Sequence, residues 1–65
     1  MRIELNGSPI TTSAETLAGL IADQGMDARV IATALNGEFV PRGERASTRL
    51  QEGARVEVLS PMQGG

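Results

Sequence analysis

The sequence predicts an α+β domain, one helix packed across a mixed sheet of about five strands. Three observations predict it. Two Asn-Gly pairs, Asn6-Gly7 and Asn36-Gly37, each sit between short apolar-alternating runs, the strongest short hairpin signal because both positions tolerate positive φ. One segment, roughly 14–24, spaces Leu17, Leu20 and Ile21 at helical intervals. A last strand, 55–60, alternates through Arg55-Val56-Glu57-Val58-Leu59.

Taken in order, Arg2-Ile3-Glu4-Leu5 reads as a half-buried strand, and Pro9-Ile10-Thr11-Thr12 returns after the Asn6-Gly7 turn. Pro9 lacks an N–H, which suits an edge or a strand start. Thr12-Ser13-Ala14-Glu15 matches a capping box, with Ser13 a competing cap. Gly25 ends the helix as a left-handed cap, and Met26 folds back on the last turn. A β-branched run, 30–35, follows; Glu38-Phe39-Val40 returns from the second Asn-Gly turn, and Pro41 stops the ladder. Residues 42–50 read as irregular or one helical turn anchored by Leu50. Such an element order places a helix across one sheet face; in a β-grasp arrangement the first and last strands are central, parallel neighbours.

Alternation assigns faces. Ile3, Leu5, Val56 and Val58 point to the helix and join Leu17, Leu20 and Ile21 in the core, while Arg2, Glu4, Arg55 and Glu57 face water. Leu59 falls on the charged face, where the chain leaves the last strand. In the run 30–35, one face carries Val30, Ala32 and Ala34, the other Ile31, Thr33 and Leu35. Small alanines would let a helix approach closely and leave Ile31 and Leu35 open beside Leu59. Leu59, Ile31 and Leu35 are therefore candidates for docking a partner, although the pattern alone leaves the two faces of this strand open.

Composition excludes more than it proposes. The 65-residue chain makes one small domain, and a domain of this size buries only about 60% of its unfolded surface. Cysteine and histidine are both absent. That removes disulfides, thiolate metal sites, cysteine nucleophiles and the usual neutral-pH acid–base group, so an independent enzyme is not expected. All six basic residues are arginine, leaving no lysine amine as an isopeptide acceptor. The net charge of −2 gives no electrostatic footing for nucleic acid. There is no signal-peptide core and no apolar stretch of membrane length, so a soluble, cytoplasmic protein, monomeric on its own, is expected.

The remaining chemical handle is the end of the sequence. Residues 1–60 are expected to form the folded domain and 61–65 a flexible tail, with Met62, Gln63 and Gly64 leading to the main-chain carboxylate of Gly65. Two glycines add no side-chain bulk where backbone must pass closely. Five residues extended reach at most roughly 17 Å, about the depth of an enzyme cleft. A carboxylate is a poor electrophile. Adenylation by ATP supplies a leaving group that a sulfur nucleophile displaces, ending in an acyl persulfide or a thiocarboxylate.

Three stretches carry a resemblance: Asn36-Gly37-Glu38-Phe39-Val40-Pro41-Arg42, Gly53-Ala54-Arg55-Val56-Glu57-Val58, and Met62-Gln63-Gly64-Gly65. With the opening Asn6-Gly7 hairpin and the short helix, they make the whole chain resemble the ThiS family, the sulfur carriers of thiamine thiazole biosynthesis. The resemblance implies a ubiquitin-like β-grasp. It also implies a carrier with no bound cofactor: a ThiF-type enzyme uses ATP to adenylate Gly65, a cysteine desulfurase or related donor supplies sulfur, and thiazole synthase (ThiG-type) receives it. After Pro41-Arg42 the family often has Ser-Glu-Trp where this chain has Gly43-Glu44-Arg45, which loses an aromatic anchor. Carriers for molybdopterin, cysteine or natural-product synthesis, a ubiquitin-like protein modifier, and a plain interaction module with an inert tail are the alternatives.

Overall fold

The computed structural model describes residues 1–60. Its elements are β1 (Arg2–Leu5), β2 (Ser8–Thr11), α1 (Leu17–Asp23), β3 (Ala32–Leu35), β4 (Glu38–Val40), a 3-10 helix (Arg42–Ser47) and β5 (Arg55–Leu59). The five strands form one mixed sheet in the order β2-β1-β5-β3-β4. β1 and β5 are central and parallel, and the other pairings are antiparallel. This is the β-grasp architecture.

Both hairpins turn where Asn-Gly demands it. Asn6 and Asn36 share a φ of 51°, and Gly7 and Gly37 lie at 83° and 87°; two successive positive-φ residues match the strand twist. Each asparagine also reaches β5. The Asn6 side-chain oxygen accepts the Val58 N–H at 2.8 Å, and that of Asn36 accepts the Arg55 N–H at 2.9 Å. The two turns thus hold the central strand from either side.

Helix α1 begins at Leu17, later than residue 14, and neither Thr12 nor Ser13 caps it. Thr16 does, its hydroxyl accepting the Gly19 N–H at 3.1 Å. The cause is long-range. Glu15 O accepts the Leu50 N–H, and Leu17 N–H donates to Thr48 O, both at 2.9 Å. The Glu15 carbonyl and the Leu17 N–H are therefore taken by residues 50 and 48, and the helix starts only at Leu17. Thr12 instead accepts the Ala14 N–H at 3.0 Å in a local turn. The end of α1 is as the sequence reads. Gly25 has φ 71°, its N–H donates to Ala22 O, and Met26 N–H donates to Ile21 O, a Schellman closure. Met26 packs against the core.

The core lies between α1 and the inner face of the sheet. Ile3, Leu17, Leu20, Ile21, Val40, Leu50 and Val56 are buried in it. Leu5 and Val58 pack against this core but are only half-buried. Leu50 is the anchor of the 42–50 segment.

Strand β3 starts at Ala32, not Val30, and its register decides its faces. Thr33 lies opposite Val58 and Leu35 opposite Val56, whereas Ala32 faces Leu59 and Ala34 faces Glu57. Directly opposed residues share a face. Thr33 is accordingly buried, and Ile31 and Leu35 pack against the core. The placement of Ile31 and Leu35 on the open face is thus corrected. The inner face of β3 needs volume to meet α1, and the alanines lie outside.

Arg45, at the position of the missing aromatic anchor, is itself buried, 4% exposed. Its Nε donates to Thr33 Oγ1 at 3.0 Å, Nη1 to Ala28 O at 2.9 Å, and Nη2 to Ile31 O at 2.8 Å. Thr33 Oγ1 in turn donates to Val40 O at 2.9 Å. No carboxylate pairs with Arg45 among the described residues. Two carbonyls and a hydroxyl solvate the cation, and a planar guanidinium suits such a fixed set of acceptors. The anchor here is polar rather than aromatic.

Candidate functional site

The outer face of the sheet divides in two. On β1 and the start of β5, Arg2, Glu4, Arg55 and Glu57 are exposed, and Glu4 and Arg55 are cross-strand neighbours. On β3, β4 and the end of β5 the face turns apolar. Ala32 lies beside Leu59, and Ala34 lies between Phe39 and Glu57. Leu59 is 67% exposed and Phe39 70%. With the two alanines they line a shallow apolar groove whose rim carries Asn6 and Glu57. Small residues between two large exposed ones make the floor of this groove. It lies at the C-terminal end of β5, where the chain passes Ser60.

Of the sequence-predicted docking residues, Leu59 lies in this patch. Ile31 and Leu35 do not; they pack on the helix side. Phe39 was missed. It is the chain's one phenylalanine, and tyrosine and tryptophan are absent. Its position was legible: a two-residue turn at 36–37 pairs residue 39 with residue 34, so placing Ala34 outward places Phe39 outward too. Aromatic side chains, phenylalanine included, are enriched in protein–protein interfaces. Met62, Gln63, Gly64 and Gly65 lie outside the described residues.

Among the described residues no group of three or more acidic side chains is placed to hold a metal ion, and no helix is long and apolar enough to cross a membrane. Among the described residues, the carboxyl with a large shift is Asp27, in the α1–β3 connection. Its side-chain hydrogen bonds with Arg29, then the Arg29 backbone N–H, hold it at about 2. Arg29 Nε sits 3.0 Å from Asp27 Oδ1, and the pair is exposed.

Among the described residues, the groove at the end of β5 is the feature that stands out on the open face. The ThiS family sequence model matches residues 2–65. The chain belongs to the ThiS family.

Two solved structures are similar to this chain. The crystal structure of the thiamine biosynthesis protein ThiS from Geobacter metallireducens is 32% identical, covers all of both chains, and superposes with a TM-score of 0.84. The solution structure of a thiamine biosynthesis protein from the same organism is also 32% identical. It covers all of this chain and 88% of that one, with a TM-score of 0.81. A thiazole synthase of Paramagnetospirillum magneticum is 30% identical over 66 residues, which is 100% of this ThiS-family chain and 20% of that protein. The chain therefore spans about a fifth of the length of that relative.

Proposed function

We propose that this protein is a sulfur carrier of thiamine biosynthesis, a cosubstrate rather than an enzyme, which bears sulfur on the carboxyl group of Gly65. The observation that carries this reading is the match to the ThiS family through residue 65, which takes in Gly64-Gly65. A ThiF-type enzyme joins the Gly65 carboxylate to the α-phosphate of ATP and releases pyrophosphate. The outer sulfur of a persulfide on a cysteine desulfurase or related donor attacks the acyl carbon and expels AMP. A thiol then attacks the donor-side sulfur of the resulting acyl disulfide, forming a disulfide and releasing the carrier's sulfur as a thiocarboxylate. The resulting thiocarboxylate is an anionic, soft nucleophile that passes its sulfur to thiazole synthase in the cytoplasm. The absence of cysteine suits this chemistry, since no internal thiol competes for the activated acyl group.

The body serves to present that group. The groove of Leu59, Phe39, Ala32 and Ala34 docks the activating enzyme, and Glu57 and Arg55 lie at its polar side. Its place at the end of β5 supports this assignment, because docking there brings the following residues toward the enzyme's nucleotide. The thiazole synthase that contains a stretch similar to the whole chain supports thiazole synthase as the receiver.

Mass spectrometry of the protein purified from its own cells tests the reading. A carrier gains the mass difference of sulfur over oxygen at its C-terminus. Adducts to other proteins indicate a modifier, and an unchanged mass an inert tail. In vitro, ATP–pyrophosphate exchange with a ThiF-type enzyme is expected for the native chain. Deletion of Gly65 or Gly64→Val should abolish it with an unchanged circular-dichroism spectrum. Normal exchange and sulfur loading after Gly65 deletion would overturn the assignment.

A further inference from the structure

Strand β4 is three residues long and lies at an edge of the sheet, with β3 as its neighbour. The two-residue turn at 36–37 closes on Leu35 and Glu38 as a hydrogen-bonded pair. Bonded pairs recur at alternate positions, so the next is Thr33 with Val40. Phe39 falls between them. Its N–H and C=O turn to the open edge, and its side chain is 70% exposed. The ring is therefore aimed by the backbone on either side of it rather than by packing.

The two sides are held differently. Toward the turn, Asn36 and Gly37 keep their positive φ, and the Asn36 side chain accepts the Arg55 N–H at 2.9 Å. Toward the exit, the chain runs into Pro41, which has no N–H to give, and then into the 3-10 helix. A chain of side-chain bonds secures this side. Arg45 Nε donates to Thr33 Oγ1 at 3.0 Å, and Thr33 Oγ1 donates to the Val40 carbonyl at 2.9 Å. The hydroxyl has one proton. With a cation donating to its oxygen, that proton is left for Val40 O, and a charged donor strengthens the bond that follows it. Arg45 is itself held in place, because Nη1 and Nη2 donate to Ala28 O and Ile31 O. The carbonyl gripped in this way belongs to the residue after Phe39.

We propose, resting on the docking of the activating enzyme at the groove, that Arg45 is a positioning residue: through the Thr33 hydroxyl it fixes the Val40 end of β4 and so holds Phe39 beside the alanine floor for that enzyme. Thr33 and Arg45 are 2% and 4% exposed, so neither side chain can touch a partner on the open face. Their effect on binding passes through the edge strand. Without the relay, β4 loosens from its exit, and Phe39 has to be ordered anew at each encounter. That weakens binding and leaves the chemistry at the terminal carboxylate unchanged.

The test uses the full chain with Arg45→Met, which keeps an apolar stem and removes the guanidinium, and with Thr33→Val. The backbone order parameter of Phe39, from NMR relaxation, should fall in either variant from the rigid value of about 0.85 toward the flexible range below about 0.6. In ATP–pyrophosphate exchange with a ThiF-type enzyme, the KM for the carrier should rise about three- to tenfold, the cost of ordering one interface side chain, with kcat unchanged. Thr33→Ser, which retains the hydroxyl, should keep the native KM. In a Phe39→Ala background, Arg45→Met should raise KM no further. A role for Arg45 in stability alone would act equally with or without the ring. If Arg45→Met does not fold, Thr33→Val against Thr33→Ser makes the same comparison. A Phe39 order parameter that stays at the native value in these variants overturns the relay. A fall in order with an unchanged KM, or a rise in KM that persists in full after Phe39→Ala, overturns the positioning role. A native KM for Phe39→Ala alone would instead overturn the docking assignment, with the order parameters still reporting the relay.

Discussion

Thr33→Val tests the polar anchor beneath the sheet. Thr33 is 2% exposed; it accepts from Arg45 Nε and donates to Val40 O. Valine keeps the shape and the β-branch but removes the hydroxyl. Arg45 then has a buried donor without an acceptor, and a hydrogen bond to a charged group contributes about 1.5–3 kcal/mol. The Val40 carbonyl loses less, since an oxygen with two lone pairs has a second site. Against this, the added methyl gains about 0.8 kcal/mol. The lost bond wins, and the net cost is about 1–2 kcal/mol. A domain of this length has roughly 3–10 kcal/mol in all, so the midpoint of thermal unfolding should fall by roughly 5–15 °C. Urea denaturation followed by circular dichroism measures the difference directly. With Arg45→Met already in place, the orphaned donor no longer exists, and Thr33→Val should become neutral or stabilising. Such a reversal identifies the coupling between the two side chains. A Thr33→Val protein as stable as the native one, in the presence of Arg45, would refute the account of Arg45 as a cation solvated by this hydroxyl.

Other outcomes follow from the core, the patch and the exposed ion pair. Leu20, 1% exposed under the sheet, should cost about 2–5 kcal/mol when replaced by Ala, measured by the same urea titration; a smaller loss would mean that the site collapses around the gap. Leu59→Asp and Phe39→Asp should each weaken binding to the activating enzyme by about tenfold or more, as expected of central apolar anchors, with the fold intact by circular dichroism. Calorimetry showing unchanged affinity for either would remove that residue from the docking surface. Asp27 titrates below its ordinary 3.8, at about 2. The stability it contributes is therefore complete above pH 3.8 and is lost as pH falls through about 2. Its carboxyl carbon, followed by NMR, should show that low midpoint, and Arg29→Gln should move the midpoint up toward 3.8.

Where structure follows from neighbours in the chain, it was legible. Asn-Gly between alternating runs specifies a tight hairpin, and both hairpins form. Gly25 closes α1 because a left-handed residue is needed there and nothing distant competes. Leu17, Leu20, Ile21 and Val56 are buried because their spacing leaves them no other face.

What needed the tertiary structure depends on pairings between residues far apart in sequence. The start of α1 moved to Leu17 because backbone groups of residues 15–17 bond to residues 48–50, a competition that local capping signals do not contain. The outward face of β3 was set by its register against β5, and a shift of one residue would reverse every side chain on it. That register turned Ile31 and Leu35 inward and left Ala34 and Phe39 outside. Arg45 looked like the loss of an anchor; its burial depends on three acceptors at residues 28, 31 and 33, which only the folded chain brings around it. Local steric preference is written residue by residue. The choice among sheet registers, and the solvation of a buried charge, are properties of the assembled fold.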